Sequence, residues 1–266
     1  MATIRVAIHG AAGRMGQRLI AVASGDKEIQ IVAALDRVEH PKLGVDAGFL
    51  AGMDPIGVPL ADALPENCQP NAMIDFSLPA GADELIALCA ERKIPLVMAT
   101  TGLKESQKEK LREASREIPI VFAPSMSTAV NLAMKLAQMA GKTLADRDAD
   151  VEILERHHRF KVDAPSGTAL KFGELVADAM GITQFRHGRE GVTGARPHNE
   201  IAYHAIRTGD NPGEHTVIFG MMGETLELTV RCSSRDGYAN GAFAAAKFLQ
   251  DKTNGLYDMF DVLGLK

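Results

Sequence analysis

The sequence predicts an α/β protein built in two parts, and two patterns support this prediction. In the first half, short β-rich runs alternate with helical stretches, which is typical of a parallel sheet covered by helices. After Phe122, strand candidates follow one another with little helix between them, which favours an α+β region with an open mixed sheet. With the last helix returning to the first part, we predict one domain over 1–127 plus 235–266 and another over 128–234.

The first part carries apolar runs of strand length separated by amphipathic stretches of helix length. The predicted strands are Ile4–Ile8, Ile29–Leu35, Ala72–Phe76, Pro95–Met98 and Ile118–Phe122. The predicted helices are Arg14–Ser24, Ala82–Arg92 and Glu105–Arg116. The segment Lys42–Pro70 is rich in Gly, Pro and Asp, so we expect a loop with short elements there.

In the second part, two predicted helices are each followed by a natural stop. Ser127–Gly141 ends on a glycine, and Gly167–Met180 is closed by Gly181. The predicted strands are Val151–Arg156, Ile201–Arg207, His215–Phe219 and Thr225–Cys232. The glycine-rich segment Arg186–Asn199 is expected to be a loop, and Gly241–Gln250 a final helix before the tail.

Composition excludes several classes of function. The chain has 266 residues, 46% hydrophobic and 24% charged, which is ordinary globular usage. Its 29 basic and 34 acidic residues give a net charge of −5, which argues against a general nucleic-acid binder. The absence of tryptophan and the 5% aromatic content argue against base-stacking platforms. A local basic pocket for a small acidic ligand remains compatible with this balance.

The expected compartment is the cytoplasm. Cys68, Cys89 and Cys232 are far apart and form no C-x-x-C pair, so a disulfide framework is not expected. The N-terminal apolar run is too short for a signal peptide. The uncharged stretch Ile118–Met134 is interrupted by prolines and polar residues, so it is not expected to span a bilayer.

A glycine-rich turn between a strand and a helix predicts a dinucleotide site. Gly10, Gly13 and Gly16 follow the first strand, and such glycines let backbone amides approach a pyrophosphate at a helix N-terminus. Asp36 ends the next strand, where a carboxylate accepts hydrogen bonds from an adenosine ribose. Because Arg37 can pair with a 2′-phosphate, NADH and NADPH both stay open. The alternative is a turn that only lets strand and helix pack.

The most polar cluster of the sequence runs from Glu155 to Thr168 and contains His157, His158 and Lys161. Histidine titrates near neutrality and can exchange a proton, while the amides of the following helix and Lys161 can receive a carboxylate. The alternatives are structural histidines, a Ser166 or Thr168 that only caps the helix, and a zinc site. Zinc is disfavoured because adjacent histidines on a strand diverge and no third ligand has a recognisable spacing.

These two segments, together with the tail Gly255-Leu-Tyr-Asp-Met, resemble the dihydrodipicolinate reductase family, now called 4-hydroxy-tetrahydrodipicolinate reductase, over essentially the whole chain. The resemblance implies a Rossmann dinucleotide-binding domain and a mixed-sheet domain for substrate binding and tetramerisation. It also implies NAD(P)H-dependent reduction of a dicarboxylate in the diaminopimelate route to lysine, without a metal. Domain closure would bring the nicotinamide to the substrate ring.

The same resemblance assigns roles to residues. It implies His157 as proton donor and acceptor and Lys161 as a second proton donor. The implied substrate-binding residues are His158, Gly167 and Thr168, with Ser166 beside them. The implied cofactor-binding residues are Gly10, Ala11, Ala12, Gly13, Arg14, Met15, Asp36, Arg37, Ala99, Thr100, Thr101, Ala123, Pro124, Ser125 and Met126. The chain departs from the family at two of them, where Gly is common at 99 and Asn at 125.

Two other functions stay open. One is a different two-domain Rossmann reductase, since lysine–histidine pairs also occur in such enzymes. The other is a sensor that binds a dinucleotide and a metabolite without turnover. The His-His-x-x-Lys and Pro-Ser-Gly-Thr segments disfavour both, because a sensor needs no proton donor.

Overall fold

The computed structural model describes residues 3–266, so Met1 and Ala2 of the run considered as a signal peptide lie outside the described residues. It divides into two compact units. The first contains the residues up to Thr128 together with Arg235–Lys266, and the second is Ala129–Ser234. Among residues 3–266, no helix combines the length and the apolar character needed to cross a membrane.

The first unit is built on a seven-stranded, fully parallel sheet. Numbered along the chain, its strands are β1 Ile4–His9, β2 Ile29–Leu35, β3 Leu60–Ala61, β4 Ala72–Asp75, β5 Leu96–Met98, β6 Pro119–Phe122 and β12 Gly255–Tyr257. The spatial order is β12-β6-β5-β4-β1-β2-β3, so the chain winds outward in both directions from the β1–β4 pair. This order creates a switch point between β1 and β4, where ligands of such sheets bind.

Helices cover both faces of this sheet. They are α1 Arg14–Ala23, α2 Ala47–Leu50, α3 Ala82–Glu91, α4 Glu105–Ala114, α7 Asp236–Phe248 and α8 Met259–Val262. Because side chains alternate along a strand, Val6 and Ile8 of β1 enter one apolar core and Ala7 enters the other. The first core includes Leu19 of α1 and Phe243 of α7, and the second includes α3 and α4. The predicted return of the last helix to the first part is therefore correct.

The second unit contains a mixed sheet, as predicted. Its strands are β7 Asp150–His157, β8 Gln184–His187, β9 Glu200–Arg207, β10 Glu214–Met221 and β11 Glu224–Arg231. In the order β11-β10-β7-β9-β8, β10 is antiparallel to both neighbours, whereas β7, β9 and β8 are parallel. The helices α5 Thr128–Leu144 and α6 Gly167–Met180 complete it, and α6 packs against β7 and β9.

The structure corrects three local predictions. The segment predicted as a loop from Arg186 begins inside β8, whose Phe185 and His187 rings stack on Tyr203 of β9. Helix α5 continues through Gly141 to Leu144. The tail supplies β12 as the edge strand next to β6, which no local pattern indicated.

Gly241 lies at a close approach of backbone to backbone in the first unit. A Cβ at this position would stand 1.7 Å from the carbonyl oxygen of Met126, which is one of the predicted cofactor residues. Gly237, in the same helix α7, has no atom within 4 Å of its Cβ position. The two positions therefore have the same helical backbone but differ in the room available for a Cβ atom.

We expect Gly241→Ala to lower the free energy of unfolding by about 1–3 kcal/mol or more, because backbone must shift to admit the methyl group. Gly237→Ala should be neutral or stabilising by up to about 1 kcal/mol, because alanine is the better helix former. Urea unfolding of both variants measures the difference. Equal stabilities would show that the Met126 contact does not constrain the fold.

Candidate functional site

The predicted cofactor residues all follow strands of the parallel sheet at its carboxyl edge. The Gly10–Met15 turn follows β1, and Asp36 and Arg37 follow β2. Two further stretches follow β5 and β6 and comprise Ala99, Thr100 and Thr101, and Ala123, Pro124, Ser125 and Met126. The structure thus brings four separate segments to one edge, beside the β1–β4 switch point.

The glycine turn after β1 fits the approach of a phosphate. Gly10 has φ of +78°, and a Cβ there would lie 2.8 Å from the carbonyl oxygen of Phe76. A Cβ at Gly16 would lie 2.3 Å from the oxygen of Gly10, so both glycines are required for close packing. Gly13 precedes α1 without a side-chain cap, so the first amides of α1 keep their donors for a ligand.

Asp36 holds this turn to the end of β2. Its carboxylate accepts hydrogen bonds from the backbone amides of Ala12 and Arg37, both at 3.0 Å. The side chain of Arg37 is exposed. A carboxylate and a guanidinium therefore stand side by side where the ribose of a dinucleotide binds in such sheets. Together with the uncapped α1, this arrangement fits a dinucleotide cofactor.

A buried carboxylate that sequence reasoning did not assign joins three strand ends at this edge. Asp75, at the end of β4, is fully buried. It lies 2.7 Å from Nδ1 of His9 at the end of β1 and accepts the hydroxyl of Thr100 after β5 at 2.6 Å. The sequence signal that could have identified Asp75 is a charged residue at the end of an otherwise apolar strand. Ala99 and Ser125, where the chain departs from the family pattern, are both buried.

In the second unit, the alternation of side chains along β7 places Glu155 and His157 on the same face of the strand. Val151, Ile153, Glu155 and His157 are buried on one face of the strand. The strand ends at His157, and His158 lies beyond it, half-buried. Strand alternation therefore does not extend to His158, although the two histidines differ in burial.

Glu155 is the centre of a hydrogen-bond network. It is 1% exposed and lies 2.5 Å from Nδ1 of His157. Arg207 of β9 donates two hydrogen bonds to it at 2.8 and 2.7 Å, and the amide of Ser166 donates another at 3.1 Å. Burial opposes ionisation, but the hydrogen bonds from His157 and Arg207 outweigh it and lower the pKa of Glu155 to about 2.

Helix α6 begins directly beside this network. The Ser166 hydroxyl accepts the amide of Ala169 and lies 3.0 Å from Nε2 of His215, so this buried serine caps the helix. The amides of Gly167 and Thr168 have no intrahelical acceptor, since they belong to the first turn. Gly167 is exposed, with open space at its Cβ position. An anion can therefore approach the two amides.

Lys161 lies in the turn between β7 and α6. Its amide bonds to the carbonyl of His158, and its side-chain nitrogen stands 2.7 Å from Oδ1 of Asp163. Its side chain is 21% exposed, so Lys161 is not sealed in the core. Asp163, which the sequence analysis did not single out, thus contacts Lys161.

Sequence reasoning left His215 unassigned and did not single out Arg207. His215 stands opposite Glu155 in the β7–β10 register, and its ring lies 5.2 Å from that of His157. Burial, reinforced by His157, lowers the pKa of His215 to about 3, so this ring is neutral. Only the strand register brings these residues together, and no local sequence signal indicated it. Within the described residues, no group of three or more His, Cys, Asp or Glu side chains is placed to bind a metal.

Comparison with known proteins gives consistent matches over both units. The family model described as "Dihydrodipicolinate reductase, N-terminus" matches residues 4–126, and the one described as "Dihydrodipicolinate reductase, C-terminus" matches residues 129–263. Together the two models cover nearly the whole chain.

Individual relatives agree with these models. A protein of Rhodopirellula baltica named 4-hydroxy-tetrahydrodipicolinate reductase is 54% identical, covering 98% of this chain and 96% of its own. A protein of the same name from Hahella chejuensis is 47% identical, covering 98% of this chain and 99% of its own. The solved structure of a dipicolinate-bound dihydrodipicolinate reductase from Paenisporosarcina sp. TG-14 is 26% identical, with a TM-score of 0.77 over 97% of this chain and 98% of that one.

The buried Glu155 predicts a pH dependence of stability. Its folded-state pKa near 2 lies below the ordinary value of 4.5, so its ionised form contributes stability above about pH 4.5 and loses that contribution as pH falls towards 2. Glu155→Gln should therefore be less stable than the native chain at neutral pH, and the gap should narrow across this window. Urea unfolding at several pH values measures it. A gap that is constant with pH would contradict the assignment.

Proposed function

The chain belongs to the dihydrodipicolinate reductase family, and from this membership we propose that it reduces 4-hydroxy-tetrahydrodipicolinate to tetrahydrodipicolinate with NADH or NADPH, in the diaminopimelate route to lysine. The observation that carries the proposal is the convergence of His157 and the open start of α6 on one buried carboxylate, Glu155, to which the turn bearing Lys161 is tied through Arg207 and Asp163. In the net reaction the ring gains one hydride and one proton, and its 4-hydroxyl group leaves as water.

The start of α6 is the proposed receptor for a carboxylate of the substrate. The amides of Gly167 and Thr168, the Thr168 hydroxyl and the amino group of Lys161 offer donors and positive charge, with His158 beside them. The helix dipole contributes about 0.3–1 kcal/mol, so direct hydrogen bonds and Lys161 must supply most of the affinity. The dipicolinate bound by the solved relative is a dicarboxylate, which supports this class of ligand.

The carboxyl edge of the first unit is the proposed cofactor site. A reduced nicotinamide dinucleotide supplies the hydride when it is bound. The Gly10 turn and the start of α1 would hold its pyrophosphate, and Asp36 its ribose. The stretches after β5 and β6 complete the edge. Arg37 would accept the 2′-phosphate of NADPH, so we propose use of both cofactors.

His157 is the proposed proton donor, and Lys161 the second cation at the reacting ring. With Nδ1 directed to Glu155, the Nε2 atom of His157 is the one that exchanges a proton with the substrate. Lys161 stabilises negative charge on the dicarboxylate and can pass a proton from its amino group. The neutral His215 packs against His157 and adds no competing charge.

We propose a division of labour between two domains, with cofactor binding in 1–127 plus 235–266 and substrate binding in 128–234, a proposal that the division of the chain into two compact units supports. We also propose that the second unit forms a homotetramer through its sheet. Leu154 of β7 and Ile206 of β9, which the register places on the face opposite Glu155, are 37% and 41% exposed. Exposed apolar side chains on a sheet face support contact with another copy of the chain.

Replacing the two proposed catalytic side chains should separate their roles. His157→Gln should lower kcat about 100- to 10,000-fold with a modest change in KM, because it removes the proton donor and keeps the binding donors. Lys161→Ala should damage both kcat and KM. The measurement is NADH or NADPH oxidation when aspartate semialdehyde, pyruvate and a dihydrodipicolinate synthase generate the substrate. Near-normal kcat for His157→Gln would remove it from the chemistry, and no oxidation by the native chain would favour a sensor.

Cofactor selection can be tested at Arg37. Arg37→Ala should weaken NADPH binding about 10-fold or more, because a hydrogen-bonded ion pair to the 2′-phosphate is lost, and leave NADH binding nearly unchanged. Fluorescence titration of each reduced cofactor gives the two dissociation constants. Lys42→Ala removes the same charge from an exposed position nearby and is the matched control. Equal weakening of both cofactors by Arg37→Ala would contradict the role.

A further inference from the structure

We propose that Glu155 is the positioning residue of the site: its carboxylate fixes His157 in the tautomer that carries hydrogen on Nδ1 and, through Ser166, holds the carboxylate receptor at the start of α6 in place. The chemical importance of this role rests on the proposed function, whereas the orientation of the ring is a property of the protein alone. Neither the family models nor the names of the relatives assign a role to Glu155.

The first argument is the cost of burying the charge. Glu155 is 1% exposed, and a buried carboxylate is tolerated only where hydrogen bonds and opposite charge replace its water. It receives four hydrogen bonds from three elements: one from His157 on β7, two from Arg207 on β9, and one from Ser166 at the start of α6. A change at this single side chain therefore acts on all three elements together.

The second argument fixes the tautomer. An ionised carboxylate can only accept hydrogen bonds, so the nitrogen of His157 that lies 2.5 Å from it must carry the hydrogen. In the neutral ring, Nε2 is then the free acceptor, and in the protonated ring Nε2 is the second donor. The ring thus presents one defined atom for proton exchange. The pKa of Glu155 near 2 keeps the carboxylate ionised at neutral pH, so this assignment holds under working conditions.

The third argument links proton transfer to substrate binding. Oε1 of Glu155 accepts the amide of Ser166, and the next two residues supply the proposed receptor amides. Arg207 binds both Glu155 and the carbonyl of Asp163, whose side chain contacts Lys161. The proton donor, the helix start and the turn bearing Lys161 are therefore held by one ion pair. Such preorganisation is what a transition state with a defined geometry requires.

The same strand provides a matched control in Glu152. This carboxylate lies on the opposite face of β7, where it binds His204 at 2.6 Å and the guanidinium groups of Arg189 and Arg196. Burial opposes its ionisation, but these hydrogen bonds lower its pKa to about 2, as for Glu155. Glu152→Gln therefore breaks an equivalent histidine–arginine network on β7, away from the proposed site.

The experiment compares the full-length native chain, Glu155→Gln and Glu152→Gln. Magic-angle-spinning spectra of protein labelled with 15N-histidine report which ring nitrogen of each histidine carries hydrogen, and His157→Gln identifies the signals of His157. We expect native His157 in the Nδ1–H form alone, and a mixture of tautomers in Glu155→Gln, because an amide both donates and accepts. Glu152→Gln should leave the His157 signals unchanged.

Kinetics and binding are measured on the same proteins. Glu155→Gln should lower kcat about 10- to 100-fold, which is part of the rate acceleration that a general acid supplies. It should also weaken dipicolinate binding and leave the dissociation constant for NADH unchanged. Glu152→Gln should keep kcat within about twofold when the fraction that elutes from size-exclusion chromatography at the native size is assayed, because Glu152 shares its face of β7 with Leu154. Glu155→Gln leaves the charge of Arg207 without its partner, which can destabilise the protein. The double variant Glu155→Met with Arg207→Met removes both charges, so the same measurements are repeated on it.

The outcomes separate the two proposals. A native His157 whose neutral ring carries hydrogen on Nε2 and none on Nδ1, or a Glu155→Gln variant with unchanged tautomer and kcat, overturns the positioning role. Equal losses of kcat in Glu155→Gln and Glu152→Gln, in step with thermal stability, also overturn it, because they indicate a role in folding alone. If the native chain reduces no dicarboxylate, the proposed function fails, while the ring spectra still decide whether Glu155 orients His157.

Discussion

A buried carboxylate at the end of a strand must collect hydrogen-bond donors from its neighbours, and this constraint organises both units. In the second unit Glu155 gathers donors from β7, β9 and the start of α6. In the first unit Asp75 contacts His9 and accepts the Thr100 hydroxyl, tying the ends of β1, β4 and β5. In each case the buried carboxyl group needs partners because water is excluded, and the partners lie in or next to the segments proposed to hold a reactant.

The two sites also share a helix start that is left open to a ligand. Helix α1 follows Gly13 without a side-chain cap, and the cap of α6 is a buried serine that leaves Gly167 exposed. Exposed first-turn amides attract anions, which suits a pyrophosphate in one unit and a carboxylate in the other. The fold therefore supplies the weak, general part of anion binding. In the proposed sites, side chains such as Lys161 and Arg37 would supply the specific part.

The sequence predicts well those features whose information is local. The β1–α1–β2 segment, its glycine turn and the helix from Gly167 to Met180 occur where periodicity and capping residues indicated them. Strand β12 and the placement of His215 and Arg207 were not predictable in this way. They depend on which strands pair and in which register, since β10 sets His215 opposite Glu155 and β9 sets Arg207 opposite His157. Register is decided by the packing of the whole sheet, not by the neighbours of one residue.

The geometry around Asp36 supports the proposal that one site accepts both nicotinamide dinucleotides. Each carboxylate oxygen of Asp36 accepts one backbone amide, from Ala12 and from Arg37, and each keeps a further lone pair for the ribose hydroxyls of NADH. A 2′-phosphate in the same place would be repelled by this carboxylate. The bond to Asp36 fixes the backbone of Arg37 while its side chain stays exposed, and in the proposed site the guanidinium would offset that repulsion. On this proposal, preference between the two cofactors depends on the balance of two adjacent, opposite charges.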